Sequence, residues 1–318
     1  MGSDDDEESN GPETKQRRAV QSSAQDRFRL ETANCCLMVA RPDDQPGSVA
    51  EHYDRLDQFY RQLWGDHLHH GLWTSPAFSP EEAVRHLVHQ VAADARIDPE
   101  MQVCDVGCGY GGPARLWANA YGAKVTGFTV SEVQHDYAER QPVDGPRPAY
   151  RLQDFLANDL SDESVDVVVA IESLAHIEDP AGVFREAARL LRPGGRLVLC
   201  AWMAAPDASR RAREWLLDPI CEEGRLSGLT TAPRLHRWAT QAGLTVERLD
   251  DVTPLVRRTW TMVLRRFSHA LLTNPSVLGT LLDSSVPDRV FARTILRIWV
   301  AQHVGALRYG WLVAAQAL

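Results

Sequence analysis

Residues 101–134 read MQVCDVGCGYGGPARLWANAYGAKVTGFTVSEVQ, and this stretch decides the fold. The apolar run Met101–Val106 is followed at once by four glycines, and Pro113 then opens an apolar helix that Gly122 ends. Proline in the first turn of a helix loses no hydrogen bond, and glycine is common just past a helix end. Lys124–Val130 returns as a second strand. The stretch therefore predicts a right-handed β-α-β unit, which presents bare backbone and a helix N-terminus to a ligand.

Two positions indicate which ligand this unit binds: the residue at the tip of the first strand and the residue at the tip of the second. Gly107, Gly109 and Gly112 satisfy G-x-G-x-x-G, a pattern that taken alone also fits dinucleotides. Asp105, however, stands at the strand tip, where a carboxylate would repel a pyrophosphate but attract the amino group and sulfonium of S-adenosylmethionine. The next strand ends at Thr129, where nicotinamide enzymes usually carry an acid for the ribose hydroxyls. Both features favour S-adenosylmethionine over a dinucleotide.

DVGCGYGG at 105–112 and GFTVSEVQ at 127–134 resemble motif I and its sequel in class I S-adenosylmethionine-dependent methyltransferases. The resemblance is to the branch with cyclopropane fatty acid synthases, sterol C-methyltransferases and tocopherol methyltransferases. It implies an α/β, doubly wound Rossmann-like fold with a seven-stranded sheet, one antiparallel strand, a helical N-terminal extension and a helical insert over the active site. It also implies cofactor contacts from Asp105, Gly107, Gly109, Gly111, Thr129, Ser131 and Gln134. A glycine-rich turn without a ligand is the alternative.

Further cofactor contacts are implied by position in this family. Asp154 and Phe155 follow the third predicted strand, where an acid accepts the adenine amino group and an apolar neighbour stacks on the ring; an exposed turn aspartate is the alternative. Ile171 ends the fourth predicted strand. Tyr53 and Tyr60 lie on an amphipathic helix that resembles the entry region of the same branch, where tyrosines close over the cofactor. Simple core packing explains these two tyrosines equally well.

The tip of the fourth strand carries the candidate catalytic residues. Glu172 follows the apolar run Val165–Ile171, and a carboxylate there would lie beside the transferring methyl group. The tip E-x-x-x-H, from Glu172 to His176, resembles that of sterol and tocopherol methyltransferases. Methylation of an alkene makes a carbocation, so Glu172 is the candidate base and His176 the residue that orients it or relays the proton. Aromatic faces would shield the cation. The candidates are Trp73, Trp202 and Trp260.

Histidines and arginines supply two further hypotheses. His67, His69 and His70 could suggest a metal, but they lack a carboxylate partner at useful spacing, so we predict that His69 and His70 line the acceptor pocket and that no metal is bound there. A prenyl diphosphate acceptor would call for Mg²⁺ and basic groups. The candidates are Arg257, Arg258, Arg265 and Arg266, with solvated helix faces as the alternative.

Composition limits the partners. The net charge of −9 and the pI near 5.7 argue against nucleic acid, which favours a basic surface. The six cysteines include no C-x-x-C pair, which indicates a reduced compartment without disulfides or structural zinc. There is no signal peptide and no apolar run long enough to span a bilayer, so a cytoplasmic location is predicted. A homo-oligomer is compatible with this composition.

The predicted organisation has five parts. They are a disordered leader at 1–25, a helical lid at 26–98, the cofactor-binding core at 99–202, a helical insert over the acceptor pocket at 203–243, and the rest of the core with further helices and strands at 244–318. The predicted reaction is C-methylation of an isoprenoid, either a prenyl diphosphate or a prenylated molecule, in specialised metabolism. N- or O-methylation of a natural-product amine or phenol is the alternative. The alternative that is not an enzyme is a regulator that binds the cofactor without turnover.

Overall fold

A computed structural model of the chain describes residues 67–273 and 291–318. Within them the strands are β1 Gln102–Val106, β2 Lys124–Thr129, β3 Ala149–Leu152, β4 Val165–Ile171, β5 Leu191–Ala204, β6 Thr245–Asp251 and β7 Leu307–Ala315. They form one seven-stranded sheet in the order β3-β2-β1-β4-β5-β7-β6. Neighbours from β3 to β5 pair in parallel, whereas β7 runs antiparallel to both β5 and β6. The predicted Rossmann-like sheet with one antiparallel strand is confirmed.

Helices flank this sheet. The described helices are α1 Pro80–Ala95, α2 Gly112–Tyr121, α3 Glu132–Arg140, α4 Pro180–Leu190, α5 Arg210–Ala212, α6 Asp218–Glu223, α7 Ala232–Gln241, α8 Thr253–Val256, α9 Arg258–Thr273 and α10 Phe291–His303. Helix α1 begins with a capping box, in which the Ser79 hydroxyl accepts from the Glu82 backbone N–H at 3.1 Å and the Glu82 carboxylate accepts from the Ser79 backbone N–H at 2.7 Å.

Two elements have irregular geometry. The π-helical turn Arg213–Leu217 joins α5 to α6 in one continuous helical segment. Residues 193–195 lie within β5. Opposite these residues the pairing with β4 jumps from Val165↔Leu191 to Val167↔Arg196, so a bulge takes up the extra residues.

The core lies on both faces of the sheet. Strand β4 shows this most simply, because Val167 and Val169 belong to one apolar layer while Val168 and Ala170 belong to the other. Such two-sided burial is expected of a central parallel strand. A third apolar cluster, built from α6, α9, α10 and the segments that join them to the sheet, stands apart from these two layers and includes Trp260.

The parallel pairing of β1 with β4 positions the site. Both strands end at the same edge, so the loop after Val106 meets the loop after Ile171. The Ser173 hydroxyl donates a hydrogen bond to the Val106 carbonyl. A Cβ on Gly107 would stand 2.4 Å from the Ser173 Cβ, so only glycine fits there.

Two further findings concern the described residues. None of their helices has the length and apolar character needed to cross a membrane. Their cysteines, Cys104, Cys108, Cys200 and Cys221, are buried free thiols.

Candidate active site

The loop between β1 and α2 is a cradle of bare backbone. Gly107, Gly109 and Gly111 have φ of 73°, 55° and 73°, a region that side chains disfavour. A Cβ on Gly111 would strike Tyr150, but a Cβ on Gly109 would meet nothing within 4 Å. Open space therefore borders the middle of the loop, next to the N-terminus of α2, where backbone N–H groups face a ligand.

Asp105 stands beside this cradle with an unsatisfied carboxylate. Its side chain is only 2% exposed, and its Oδ2 has no hydrogen-bond partner among the described residues. Burial raises the pKa of Asp105 to about 7. A buried acid with one unpartnered oxygen next to open backbone fits a ligand that brings positive charge. The amino group and sulfonium of S-adenosylmethionine are such groups, so the residues present fit this cofactor.

The tip of β2 brings three predicted cofactor residues together. Thr129 donates a hydrogen bond to Gln134 Oε1 at 3.0 Å and accepts one from the Ser131 backbone at 3.2 Å. Ser131 caps α3 by accepting from the Gln134 backbone. All three are buried, so this loop is a preformed polar wall next to the glycine cradle.

The remaining predicted cofactor residues differ in burial and do not form one group. Asp154 is exposed and uses Oδ1 to accept from the Leu156 backbone at 2.9 Å. Phe155 is 3% exposed and packs edge-to-face on Phe128, inside the core layer. Ile171 ends β4 at 9% exposure. Tyr53 and Tyr60 lie outside the described residues.

Glu172 is the most densely hydrogen-bonded acid at this edge of the sheet. Its Oε1 accepts from the His70 backbone at 2.7 Å and from the Tyr309 hydroxyl at 2.8 Å, and the His70 Nδ1 lies 2.9 Å away. Its Oε2 accepts from Trp202 Nε1 at 2.8 Å. Glu172 also has a φ of 59°, a conformation that costs a non-glycine residue about 1–3 kcal/mol. The surrounding donors hold it in this strained position.

The charge of Glu172 follows from these contacts. Burial acts to raise the pKa of Glu172, but electrostatic interaction with His70 and the hydrogen bonds from its ring and backbone lower that pKa to about 2. Glu172 is therefore ionised throughout the neutral range. The donors that orient it are His70, Trp202 and Tyr309, whereas His176 hydrogen-bonds the backbone at Arg225.

Two buried imidazoles accompany this carboxylate. Burial lowers the pKa of His176 to about 4, although Arg225 and Glu172 act to raise it. Burial likewise lowers the pKa of His69, against an opposite effect of Glu172. Both rings are uncharged near neutral pH. His69 places Nδ1 2.8 Å from the His70 carbonyl and Nε2 3.3 Å from His67 Nδ1.

A cavity of about 110 Å³ adjoins these groups. Its described lining consists of Leu68, His69, His70, Glu172, Ala175, His176, Trp202, Ile220, Gly224, Leu226, Thr259, Trp260, Thr294 and Ile298. The rings of Trp202 and Trp260 stand at 83° with centroids 5.9 Å apart. Their N–H groups point at Glu172 and His70, so mainly carbon surface remains for a ligand. The described wall is thus apolar apart from the Glu172 carboxylate, the hydroxyls of Thr259 and Thr294, and the imidazoles.

Trp73 and the four candidate arginines are not part of the described cavity wall. Trp73 Nε1 donates to Thr259 Oγ1 at 3.0 Å, and the Arg258 guanidinium lies 4.4 Å from the centre of the Trp73 ring, so Trp73 is absent from the described lining. Arg266 pairs with Glu81 at 3.1 Å, and Arg257 and Arg265 are exposed. The described cavity wall contains no arginine or lysine. In the described ranges no three His, Cys, Asp or Glu side chains are grouped to hold a metal.

Sequence reasoning missed Tyr309 and Gln302. Gln302 Nε2 lies 3.1 Å from His70 Nε2, and Tyr309 donates to Glu172. Tyr309 lies on β7, and nothing local in the sequence indicates which acid it reaches. Its position depends on the register of β7, in which Tyr309 is the cross-strand partner of Trp202.

The sequence is similar to those of known methyltransferases. Residues 104–199 match a family model described as a methyltransferase domain. The chain is 35% identical over 229 residues to the 27-O-demethylrifamycin SV methyltransferase of Amycolatopsis mediterranei, covering 70% of this chain and 82% of that protein. It is 33% identical over 186 residues to the sterol 24-C-methyltransferase of Yarrowia lipolytica, covering 57% of this chain and 48% of the relative.

Solved structures share the fold at lower identity. The mycolic acid cyclopropane synthase CmaA1, crystallised with S-adenosylhomocysteine and CTAB, superposes with a TM-score of 0.74 at 18% identity. That match covers 84% of this chain and 97% of the other.

Proposed function

This chain belongs to the class I S-adenosylmethionine-dependent methyltransferases, and from that premise we propose that it methylates a hydroxyl oxygen of a bulky, largely apolar small molecule. The bound cofactor supplies an electrophilic methyl group on a sulfonium. Asp105 and the glycine cradle would hold that cofactor at the same edge of the sheet as Glu172. The protein then contributes position, exclusion of water and a proton acceptor.

The proposal that oxygen is the methylated atom rests on one observation: an ionised carboxylate and uncharged imidazoles line the same apolar cavity. A hydroxyl becomes strongly acidic as its oxygen bonds the methyl carbon, so even an imidazole with a pKa of about 4 can accept the proton. Glu172 already accepts three contacts at Oε1 and one at Oε2. We therefore assign the proton to a histidine and not to Glu172.

His176 is the proposed proton acceptor. His176 lines the cavity and interacts electrostatically with Glu172. The fixed anion would stabilise the imidazolium that forms as His176 takes the proton, because opposite charges attract strongly in a poorly solvated site.

The cavity also limits the acceptor. Its wall offers tryptophan, leucine and isoleucine carbon with a few polar groups and no basic side chain among the described residues, which suits an uncharged apolar molecule better than a diphosphate. The relative named as acting on 27-O-demethylrifamycin SV supports an oxygen acceptor on a natural product.

C-methylation of an isoprenoid is the second candidate. Two perpendicular tryptophans and an ionised Glu172 would also stabilise a carbocation. Glu172 Oε2, which accepts from Trp202 Nε1, would then receive the proton. The sterol 24-C-methyltransferase relative supports this reading. A diphosphate acceptor would then bring Mg²⁺ with it. An amine acceptor, the other part of the sequence-based alternative, would need little more than deprotonation and correct orientation.

A labelled-methyl screen tests these proposals. The protein is incubated with ¹³C-methyl S-adenosylmethionine and hydroxylated macrocycles, phenols, sterols, prenyl diphosphates and amines, with and without Mg²⁺. Mass spectrometry detects transfer, and the ¹³C shift of the methyl group identifies the bonded atom. A methyl on oxygen is expected; a methyl on carbon would promote the second candidate.

Variants at two histidines separate the mechanisms. His176→Gln should lower kcat by roughly 10²- to 10⁴-fold if an imidazole takes the proton. His236→Gln, at an exposed position on α7, is the matched control and should leave kcat unchanged. Retention of kcat in His176→Gln would contradict the assigned proton acceptor.

A further inference from the structure

We propose that the Thr259 hydroxyl recognises the acceptor molecule by donating a hydrogen bond to one of its oxygens, a carbonyl or ether oxygen near the hydroxyl that is methylated. Thr259 would thus help to determine which acceptors bind. The inference deepens the proposed function, and it rests on that function for the identity of the reacting hydroxyl.

Both lone pairs of the Thr259 hydroxyl are occupied by the protein. The Gly71 backbone N–H and the Trp73 indole N–H each donate to Thr259 Oγ1 at 3.0 Å. A hydroxyl has two acceptor positions and one proton, so these two donors leave Thr259 only the role of a donor. None of the described residues accepts its proton.

The two groups that donate to Thr259 are themselves held in place. The Trp73 backbone N–H donates to the Leu255 carbonyl at 2.8 Å. A Cβ on Gly71 would lie 2.7 Å from the Ala83 Cβ, so the chain at Gly71 packs closely against α1. This fixed segment keeps both lone pairs of Thr259 occupied whether or not a ligand is bound.

The acceptor cavity is the space left for the Thr259 proton. Thr259 belongs to the described cavity lining, whereas Gly71 and Trp73 do not. The proton occupies the position on Oγ1 that its two donors leave open. Thr259 is only 7% exposed, and a buried donor without an acceptor is costly. A ligand oxygen in the cavity would remove that cost.

The other hydroxyl and indole donors of the described wall already give their protons to the protein. They are Thr294, Trp202 and Trp260, whose protons go to Glu223, Glu172 and His70. Thr259 differs from them because its proton has no such partner. Within this group of donors, Thr259 is therefore the one that can bind a ligand without breaking a contact.

Thr259 lies close to the reacting end of the cavity. The His70 backbone N–H donates to Glu172, and the next backbone N–H, that of Gly71, donates to Thr259. Consecutive Cα atoms are about 3.8 Å apart, so Glu172 and Thr259 are bound to neighbouring points of one segment. One small molecule can therefore place a hydroxyl beside Glu172 and a second oxygen against Thr259.

The oxygen bound by Thr259 should not be the one that is methylated. A hydrogen bond donated to the reacting oxygen would draw electron density from the lone pair that attacks the methyl carbon. A carbonyl or ether oxygen elsewhere in the molecule has lone pairs to spare and takes no part in the transfer. The inferred acceptor class is thus an uncharged, largely apolar molecule that carries both a hydroxyl and such an oxygen.

Two phenols of similar size test the inference, 4-(4-hydroxyphenyl)butan-2-one and 4-butylphenol. The first has a carbonyl where the second has a methylene, and the carbonyl is too far from the ring to change the acidity of the phenol. Calorimetry on the full chain saturated with S-adenosylhomocysteine measures both dissociation constants. In Thr259→Val the ketone should bind roughly 3- to 10-fold more weakly, whereas the affinity for 4-butylphenol should change little. Thr259→Ser should restore the wild-type affinity for the ketone.

Thr261→Val is the matched control. Thr261 also lies on α9 and accepts from a tryptophan, Trp299 Nε1, at 3.0 Å, but it is not part of the described cavity lining. Its variant should keep the wild-type ratio of the two affinities. An equal loss of both phenols in Thr259→Val would mean that Thr259 only anchors the segment at Gly71 and Trp73, and it would overturn the proposal. A ketone that fails to bind the wild-type protein would also overturn it.

The infrared spectrum of the bound ketone gives a readout that needs no variant. With a ¹³C-labelled carbonyl, the C=O stretch in the wild-type complex should lie at lower wavenumber than in an apolar solvent, because an accepted hydrogen bond weakens the C=O bond. A stretch at the apolar-solvent position would contradict the proposal. Neither measurement involves methyl transfer, so a methyl found on carbon in the labelled-methyl screen would refute the proposed function and leave this result intact.

Discussion

Two buried carboxylates stand at the tips of adjacent parallel strands and behave in opposite ways. Asp105 ends in an oxygen without a partner, and burial raises its pKa to about 7. Glu172, one strand away, accepts donors from three residues, and its pKa falls to about 2. Both lie where the sheet presents its ligands, and both are enclosed, so burial does not separate them.

The two pKa values differ because the protein itself supplies hydrogen-bond donors to Glu172 but none to Asp105 Oδ2. A carboxylate that the protein satisfies is charged before any ligand arrives, and it can act as a fixed electrostatic element. A carboxylate left unsatisfied is costly in the free protein and becomes stable when a ligand brings positive charge. Asp105 is thus suited to bind a cationic cofactor, and Glu172 is suited to shape the field of the acceptor cavity.

Among changes at the two acids and their hydrogen-bond donors, Glu172→Gln should have the largest effect. The amide keeps the volume but loses the charge, and its NH₂ group faces N–H or O–H donors from His70, Trp202 or Tyr309. We expect turnover to fall about a thousandfold and the free energy of unfolding to fall by about 2–4 kcal/mol. Cofactor affinity by calorimetry should change little, and a large loss of affinity would contradict the division of roles between the two acids.

Asp105→Asn should have the opposite effect on stability. Replacing an unpaired buried acid by a neutral amide should leave the unfolding free energy of the cofactor-free protein unchanged or raise it by about 1 kcal/mol. The dissociation constant for S-adenosylhomocysteine should rise roughly 10- to 100-fold, because a charge-assisted hydrogen bond is lost. Denaturant titration and calorimetry measure the two quantities, and unchanged affinity would count against the cofactor role of Asp105.

Cofactor binding should also depend on pH through Asp105. Below about pH 7 this carboxyl holds a proton in the free protein, and binding of a cationic amino group must expel it. Affinity should therefore fall as the pH drops from 8 to 6, toward roughly tenfold per pH unit at the acid end. Calorimetry in buffers of different ionisation enthalpy should detect proton release, and Asp105→Asn should remove it.

The smallest effect is expected at Tyr309→Phe. Glu172 loses one donor but keeps those from His70 and Trp202, so the carboxylate remains ionised. We expect a loss of about 1 kcal/mol in unfolding free energy and a decrease in turnover of less than about tenfold. A decrease as large as that of Glu172→Gln would mean that the hydroxyl itself takes part in the reaction.

The cofactor side was predictable because its parts are contiguous. Strand, glycine turn, helix and second strand follow one another within residues 101–134, and the structure keeps them in that order. Thr129, Ser131 and Gln134 form one hydrogen-bonded loop for the same reason. Phe155 was harder to place, since an apolar residue after a strand can face either a ligand or the core, and here it packs on Phe128.

The acceptor side was only partly predictable because its parts are distant. Trp202 and Trp260 line the cavity, whereas Trp73 donates a hydrogen bond to Thr259 and is not part of the described lining. The cavity wall combines β5, α6, α9 and α10 with the segment before α1, and no local pattern states how these segments meet. The contacts of Tyr309 and Gln302 depended on that assembly.

The sequence by itself determined the α/β fold, the glycine cradle with Asp105, and the position of Glu172 at a strand tip, because each rests on residues that are neighbours in the chain. Only the tertiary structure decided the charge of those acids. The donors to Glu172 come from His70, Trp202 and Tyr309, which are 102, 30 and 137 positions away, while Asp105 receives none at Oδ2. A carboxylate's pKa depends on the groups that surround it in space, and those groups are brought together only when the chain folds.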